Sequence, residues 1–184
     1  MILCRFASKR MRTMKKLLLC LTLFISALPL SATAEDFIVV GHEGKVYDTP
    51  NSKAYATTNR EGEDINLSTG MVFKRNETRQ GWNLIEYSPG LNGFILQSLV
   101  EPPTSLETPE SGVYPVNNIP GTNVKISIEN GTWTATLGTS KYAGQLHDGA
   151  LIFFSAEGDI ILSVVKKRGK VLVYSYSNDI TKFF

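Results

Sequence analysis

Four dipeptides in the last third of the chain constrain its fold more than any other feature. Asn130-Gly131, Asp148-Gly149, Glu157-Gly158 and Arg168-Gly169 recur at about one strand's spacing, with apolar runs between them. Asn or Asp followed by Gly suits a tight hairpin, because both turn positions take positive φ. Val124, Ile126 and Ile128 alternate with Lys125 and Ser127, and Trp133, Ala135 and Leu137 alternate with threonines. Period-two alternation on both sides of Asn130-Gly131 predicts a β-hairpin. Residues 151–154, 160–165 and 171–176 extend the series. The expectation for residues 111–184 is an antiparallel β-meander of roughly six strands, a barrel or a sandwich, with no helix required.

The later strands do not alternate. Ile152 stands beside Phe153, and Ile160 beside Ile161. A strand with one face in water does not carry such pairs, so both faces of this sheet are expected to be covered. Three covers are open: the first half of the chain, a ligand calyx, or a dimer interface. Few short strands enclose little volume, which argues against a roomy cavity.

Residues 101–110 contain three prolines (Pro102, Pro103, Pro109) and three acids (Glu101, Glu107, Glu110). Proline is stiff and cannot donate to a ladder, so this segment reads as a linker between residues 35–100 and 111–184. The first piece carries 6 bases and 9 acids, the second 7 bases and 5 acids. Each is near the ~70–80 residues below which one core rarely suffices without a staple. Packing of the halves on each other, or a homo-oligomer, is therefore expected.

In the first half, residues 46–51 (Val-Tyr-Asp-Thr-Pro-Asn) give an apolar residue, a short polar run and a proline. Residues 64–73 read as strand, turn, glycine and strand. Gly81-Trp82-Asn83-Leu84-Ile85 is followed by Gly93-Phe94-Ile95. Together these places resemble the bacterial SH3 (SH3b) domain family across about a third of the chain. The family's Asn-Val-Arg-x-Gly-Pro opening is absent, and residues 53–62 make the following loop long. The resemblance implies an SH3-like small barrel. It also implies ligands, cell-wall peptide bridges or short peptides, held on aromatic and polar residues beside that loop. The matching candidates are Tyr47, Asp48, Tyr55, Trp82 and Tyr87; Trp82 follows a turn glycine and reads as core, whereas Tyr47, Asp48 and Tyr55 lie in or beside loops. The residues point the same way on their own, since Gly70, Gly93 and Gln80-Gly81 mark tight turns or bulges and no stretch has a helical period.

Residues 1–34 hold six bases and no acid. Lys15-Lys16 precedes an apolar run over residues 17–30, and Ser31-Ala32-Thr33-Ala34 places small residues before Glu35. This is the pattern of a cleaved signal peptide, and a 14-residue run is short of the ~20 residues that span a bilayer. Export to the periplasm or cell surface of a bacterium is the expectation, with no integral membrane segment after processing. Cys4 and Cys20 both fall in the removed part, leaving a thiol-free chain without disulfides, thiolate metal sites or a cysteine nucleophile. The remaining 13 bases and 17 acids give no electrostatic reason to expect nucleic-acid binding.

Motifs of catalysis are missing from the sequence: no Gly-x-Ser-x-Gly, no His-Glu-x-x-His and no glycine-rich phosphate loop. The two histidines, His42 and His147, stand far apart. His147 with Asp148, or the acidic run Glu61, Glu63 and Asp64, would be the raw material of a hydrolase, but both read as solvated loop or turn residues. No cofactor and no metal are expected. Lys166, Lys167, Arg168 and Lys170 cluster at a hairpin tip, either protecting a soluble turn or meeting an anionic partner such as a membrane surface or acidic glycan. The resulting expectation is an exported, non-catalytic binding or scaffolding protein that takes a cell-wall peptide or a protein partner. Its alternative is an envelope assembly component whose C-terminal sheet forms a dimer or partner interface.

Overall fold

The computed structural model describes residues 36–51, 53, 56–59 and 62–176. Residues 1–34, expected to be a signal peptide, and Tyr55 and Glu61 lie outside the described residues. The described part is all-β, in two antiparallel assemblies. The first comprises β1 (Phe37–Val40), β2 (Gly44–Lys45), β3 (Asn66–Leu67), β4 (Val72–Arg79), β5 (Trp82–Ser88), β6 (Leu91–Leu96) and β7 (Val100–Glu101). Five of these strands form one sheet in the order β6-β5-β4-β1-β7, and β2 pairs with β3 inside the long connection from β1 to β4. One turn of 3₁₀ helix, Gln97–Leu99, leads into β7. The sheet is therefore an antiparallel meander of β4, β5 and β6 extended on its other side by β1 and β7.

The second assembly comprises β8 (Gly112–Pro115), β9 (Asn123–Glu129), β10 (Thr132–Leu137), β11 (Ser140–His147), β12 (Ala150–Phe154), β13 (Ile160–Lys167) and β14 (Lys170–Ser175). They follow one another in space as in sequence, a seven-stranded meander. The strand beyond the six expected is β8, whose Gly112 and Pro115 are poor strand formers. Asn130 and Gly131 both have positive φ, 52° and 79°, as the hairpin reading requires, and the Asp148-Gly149, Arg168-Gly169 and Gln80-Gly81 turns share that conformation. The meander nearly closes into a barrel through two asparagines that follow β8. The Asn117 N–H donates to the Val173 carbonyl and its side-chain oxygen accepts from the Val173 N–H (2.7 and 2.8 Å). Asn118 does the same with Ser175 through its side-chain amide alone (2.8 and 3.1 Å). A side-chain amide has a peptide's donor and acceptor, so it can stand in for a strand.

The non-alternating strands serve two cores. Leu151, Phe153, Leu162, Val164 and Val173 point into the barrel with Val124, Ile126 and Ala135. Their neighbours point outward: Ala150, Ile152 and Val165 pack with Val39 and Val72 of the first assembly. Leu172 and Tyr174 join Val40, Val46, Ile65, Phe73, Ile85 and Ile95 in its core. Of the three covers that the sequence left open, the first half of the chain occupies this face. Polar groups at the seam are matched as well. The Val72 N–H donates to the Tyr176 hydroxyl (2.6 Å), which also contacts the Ser163 hydroxyl (3.0 Å), and burial pushes the Tyr176 pKa up. The Tyr174 hydroxyl donates to the Thr69 carbonyl (3.1 Å).

Residues 101–110 form a strap over this seam. Leu106 packs with the Val39–Ile152 cluster. Each acid of the strap meets the basic hairpin tip: Glu101 pairs with Lys167, while Glu107 and Glu110 both pair with Lys166 (3.6 and 2.7 Å). The Glu107 side chain further accepts from the Gly169 N–H (2.9 Å). Burial alone would raise the Glu101 carboxyl, but hydrogen bonds from Lys167 and Ser105, together with the Lys167 charge, hold it below the usual carboxylate range.

Two predictions follow from the seam. Gly70 sits at φ +94°, and a Cβ there would lie 2.7 Å from Leu172 Cδ1 and 2.9 Å from its Cβ. Gly70→Ala is expected to cost about 1–3 kcal/mol in urea unfolding, more than Gly90→Ala, where φ is +75° but space is open. A carboxyl whose pKa is depressed by folding stabilises above its unfolded value and loses that contribution as pH falls through the folded one. Glu101→Gln therefore lowers the urea midpoint at neutral pH and flattens its decline from about pH 5 to about pH 3. An unchanged acid slope would remove Glu101 from the acid sensitivity.

Candidate functional site

The Gln80-Gly81 turn launches Trp82 at the start of β5, and Trp82 is 8% exposed. The Tyr47 ring packs edge-on against it, with centroids 5.6 Å apart and planes at 83°. Such edge-to-face pairs place the positive ring edge over the negative face. The backbone fixes Tyr47 from two sides. It bridges to Ala56 and exchanges both hydrogen bonds with Phe94 of β6 (2.9 and 2.8 Å). Trp82 lies opposite Leu96 of the same strand. The long connection is thereby pinned to the edge of the five-stranded sheet.

Asp48 follows on the surface, its carboxylate accepting from the Thr57 hydroxyl (2.7 Å). Tyr87 is half-buried against the core. Burial chiefly, and then the Asp48 charge, push its hydroxyl pKa up. Gly93 makes this closeness possible, because a Cβ there would collide with Val46 and lie 3.3 Å from the Tyr87 ring. The reason for glycine here is close approach of neighbours, since its φ is not positive. Two links are thus made: the buried Trp82 indole is capped by the Tyr47 phenol, and the Asp48 carboxylate lies close enough to Tyr87 for its charge to be felt there. Tyr55, the fifth candidate, lies outside the described residues.

The other candidates fall elsewhere. His147 is half-buried, its ring 4.7 Å from that of Phe37 and 6.4 Å from that of Phe154, with a buried Nε2 that has no hydrogen-bond partner. The sequence pointed to a solvated turn there, yet the imidazole serves as an aromatic plate between the halves. Glu63 bonds back to Asn59 (the Glu63 N–H to Oδ1 at 2.9 Å), and Asp64 pairs with Lys45 (2.5 Å). Among the described residues no group of three or more His, Cys, Asp or Glu is placed to hold a metal ion, and no helix is long and apolar enough to cross a membrane. Comparison of the chain with protein-family models, with curated proteins and with solved structures gives no match.

Truncation of Tyr47 removes the cap on Trp82. Tyr47→Ala is expected to cost about 1–2 kcal/mol from lost ring burial and the lost edge-to-face pair. In a Trp133→Phe background, which leaves Trp82 as the single emitter, it should also raise acrylamide quenching. Unaltered quenching would mean that other groups shield Trp82.

Proposed function

We propose that the chain is an exported, non-catalytic binding or scaffolding protein, related to the bacterial SH3 family, which recognises a cell-wall peptide or a protein partner. The observation that carries this reading is the Tyr47–Trp82 pair with exposed Asp48 beside it. A rigid amphipathic ring costs little entropy to present, and a carboxylate next to it accepts from peptide N–H groups or an amine. Export is supported by the basic, apolar and small-residue segments over residues 15–34, and by a body that gets its stability from packing without thiols. A cell-wall peptide, rich in amide donors and amines, suits an exposed carboxylate such as Asp48.

Pelleting with purified sacculi tests the proposal. Tyr47→Ala is expected to weaken co-sedimentation roughly ten-fold, the effect of removing one interface aromatic. Asp48→Ala, at an exposed site, should weaken it without lowering the unfolding midpoint as Tyr47→Ala does. Sedimentation equal to that of the parent in both variants, or none by the parent itself, would overturn it.

A further inference from the structure

A second feature lies on the seam between the two assemblies. The basic hairpin tip joining β13 and β14 carries four cations, and the acidic strap neutralises only two. Lys166 meets Glu107 and Glu110, and Lys167 meets Glu101. Arg168 and Lys170 are exposed and form no ion pair among the described residues. Lys170 stands directly opposite Lys167 in the ladder, and like charges in that position are destabilising. Glu101 offsets the Lys167 member of that pair, and the charges of Arg168 and Lys170 are left at the tip.

That charge lines a cleft of about 550 Å³, within the ~300–1,000 Å³ of small-molecule sites. One wall is Lys167, Arg168 and Lys170; the facing rim is Ser68 and Thr69 of the first assembly, and Glu43 supplies one acid. Arg168 sits at φ 51° on the turn, and both it and Lys170, two positions on, line the cleft. A planar guanidinium with a neighbouring ammonium matches a carboxylate or phosphate group, which the guanidinium can bind through two parallel hydrogen bonds. The Thr69 hydroxyl donates to the Gly41 carbonyl (3.3 Å), so the cations supply the charge-assisted donors of this cleft. Glu43 repels a broad anionic surface yet leaves room for one compact acidic group, and the concavity favours a soluble ligand over a flat membrane.

We propose that this seam cleft binds a small soluble anion, the carboxylate or phosphate of a compact ligand, through Arg168 and Lys170. The site is separate from the Tyr47–Trp82 face and does not depend on its role. Because the cleft takes walls from both assemblies, its occupant would also hold them together.

The test is NMR titration of the full chain with inorganic phosphate, with glucuronate, and with phosphatidylglycerol vesicles. Either soluble anion is expected to give saturable shifts at Ser68, Thr69 and residues 168–170, and the one that saturates identifies the acidic group. The Arg168→Gln/Lys170→Gln variant should weaken binding roughly ten-fold, and Lys125→Gln, an exposed lysine on β9, should leave it unchanged. Glutamine is compatible with the turn, since Gln80 holds the same place at φ 46°. Absence of saturation with both anions, equal weakening by Lys125→Gln, or response to vesicles alone would each overturn the proposal.

Discussion

The structure depends on a pleat used twice. Successive residues of β12, β13 and β14 point to opposite faces, and here each face meets apolar side chains. Leu151, Phe153, Leu162, Val164 and Val173 fill the barrel, and Ala150, Ile152, Val165, Leu172 and Tyr174 fill cores shared with the SH3-like half. A one-residue slip would exchange the two sets. The inward set is bulky and the outward set starts with Ala150, so neither core would accept the exchange. Register is accordingly set by two-residue turns at Asp148-Gly149 and Arg168-Gly169, which permit only one pairing of the strands they join.

Sharing a sheet in this way creates polar obligations, and specific side chains meet them. Beta strands that end at a seam leave N–H groups without ladder partners, each costing about 1–3 kcal/mol if buried and unpaired. The Tyr176 hydroxyl takes the Val72 N–H, and Asn117 and Asn118 take those of Val173 and Ser175. The acidic strap performs the electrostatic counterpart. Glu101 is 9% exposed, and it remains charged there because Lys167 and Ser105 both donate to it.

The strands and turns of the second half were legible because their signals are local: alternation, X-Gly pairs, and paired apolar neighbours that demanded two covered faces. What covered the second face was not legible, since Ile152 and Val165 look the same whether they meet Val39, a ligand or a second copy. The closing role of Asn117 and Asn118 was hidden for a related reason. Asparagines in a loop signal a turn, and only the arrival of β14 more than fifty positions later turns them into a strand surrogate. The strap looked like a linker because its acids repel one another in isolation. Their counter-charges were visible in the sequence as the Lys166–Lys170 cluster, and joining the two needed the topology. Of the candidate site, the sequence pointed to Tyr47, Asp48, Trp82 and Tyr87 by resemblance; the fold sets Tyr47 on Trp82 and Asp48 within electrostatic reach of Tyr87, through the Tyr47–Phe94 exchange and the space left by Gly93.

The first assembly meets the second most directly at β1, β4 and the turn before β4, while its core carries the contact on to β5, β6 and the long connection through Ile85, Ile95, Val46 and Ile65. The seam draws on β1, β4 and the Thr69-Gly70 turn, through Val39, Val72, Phe73 and the contacts of Tyr174 and Tyr176. The aromatic cluster draws on β5, β6 and the chain after β2. Gly70, Leu172 and Tyr176 lock the halves at the turn before β4, where the missing Cβ leaves room for Leu172 and the Tyr176 hydroxyl takes the Val72 N–H. The long connection after Tyr47 is anchored at the Tyr47–Phe94 and Thr58–Asp64 bridges, and at its two ends Val46 and Ile65 enter the core that Leu172 and Tyr174 complete, so the packing that joins the halves also fixes where that connection begins and ends.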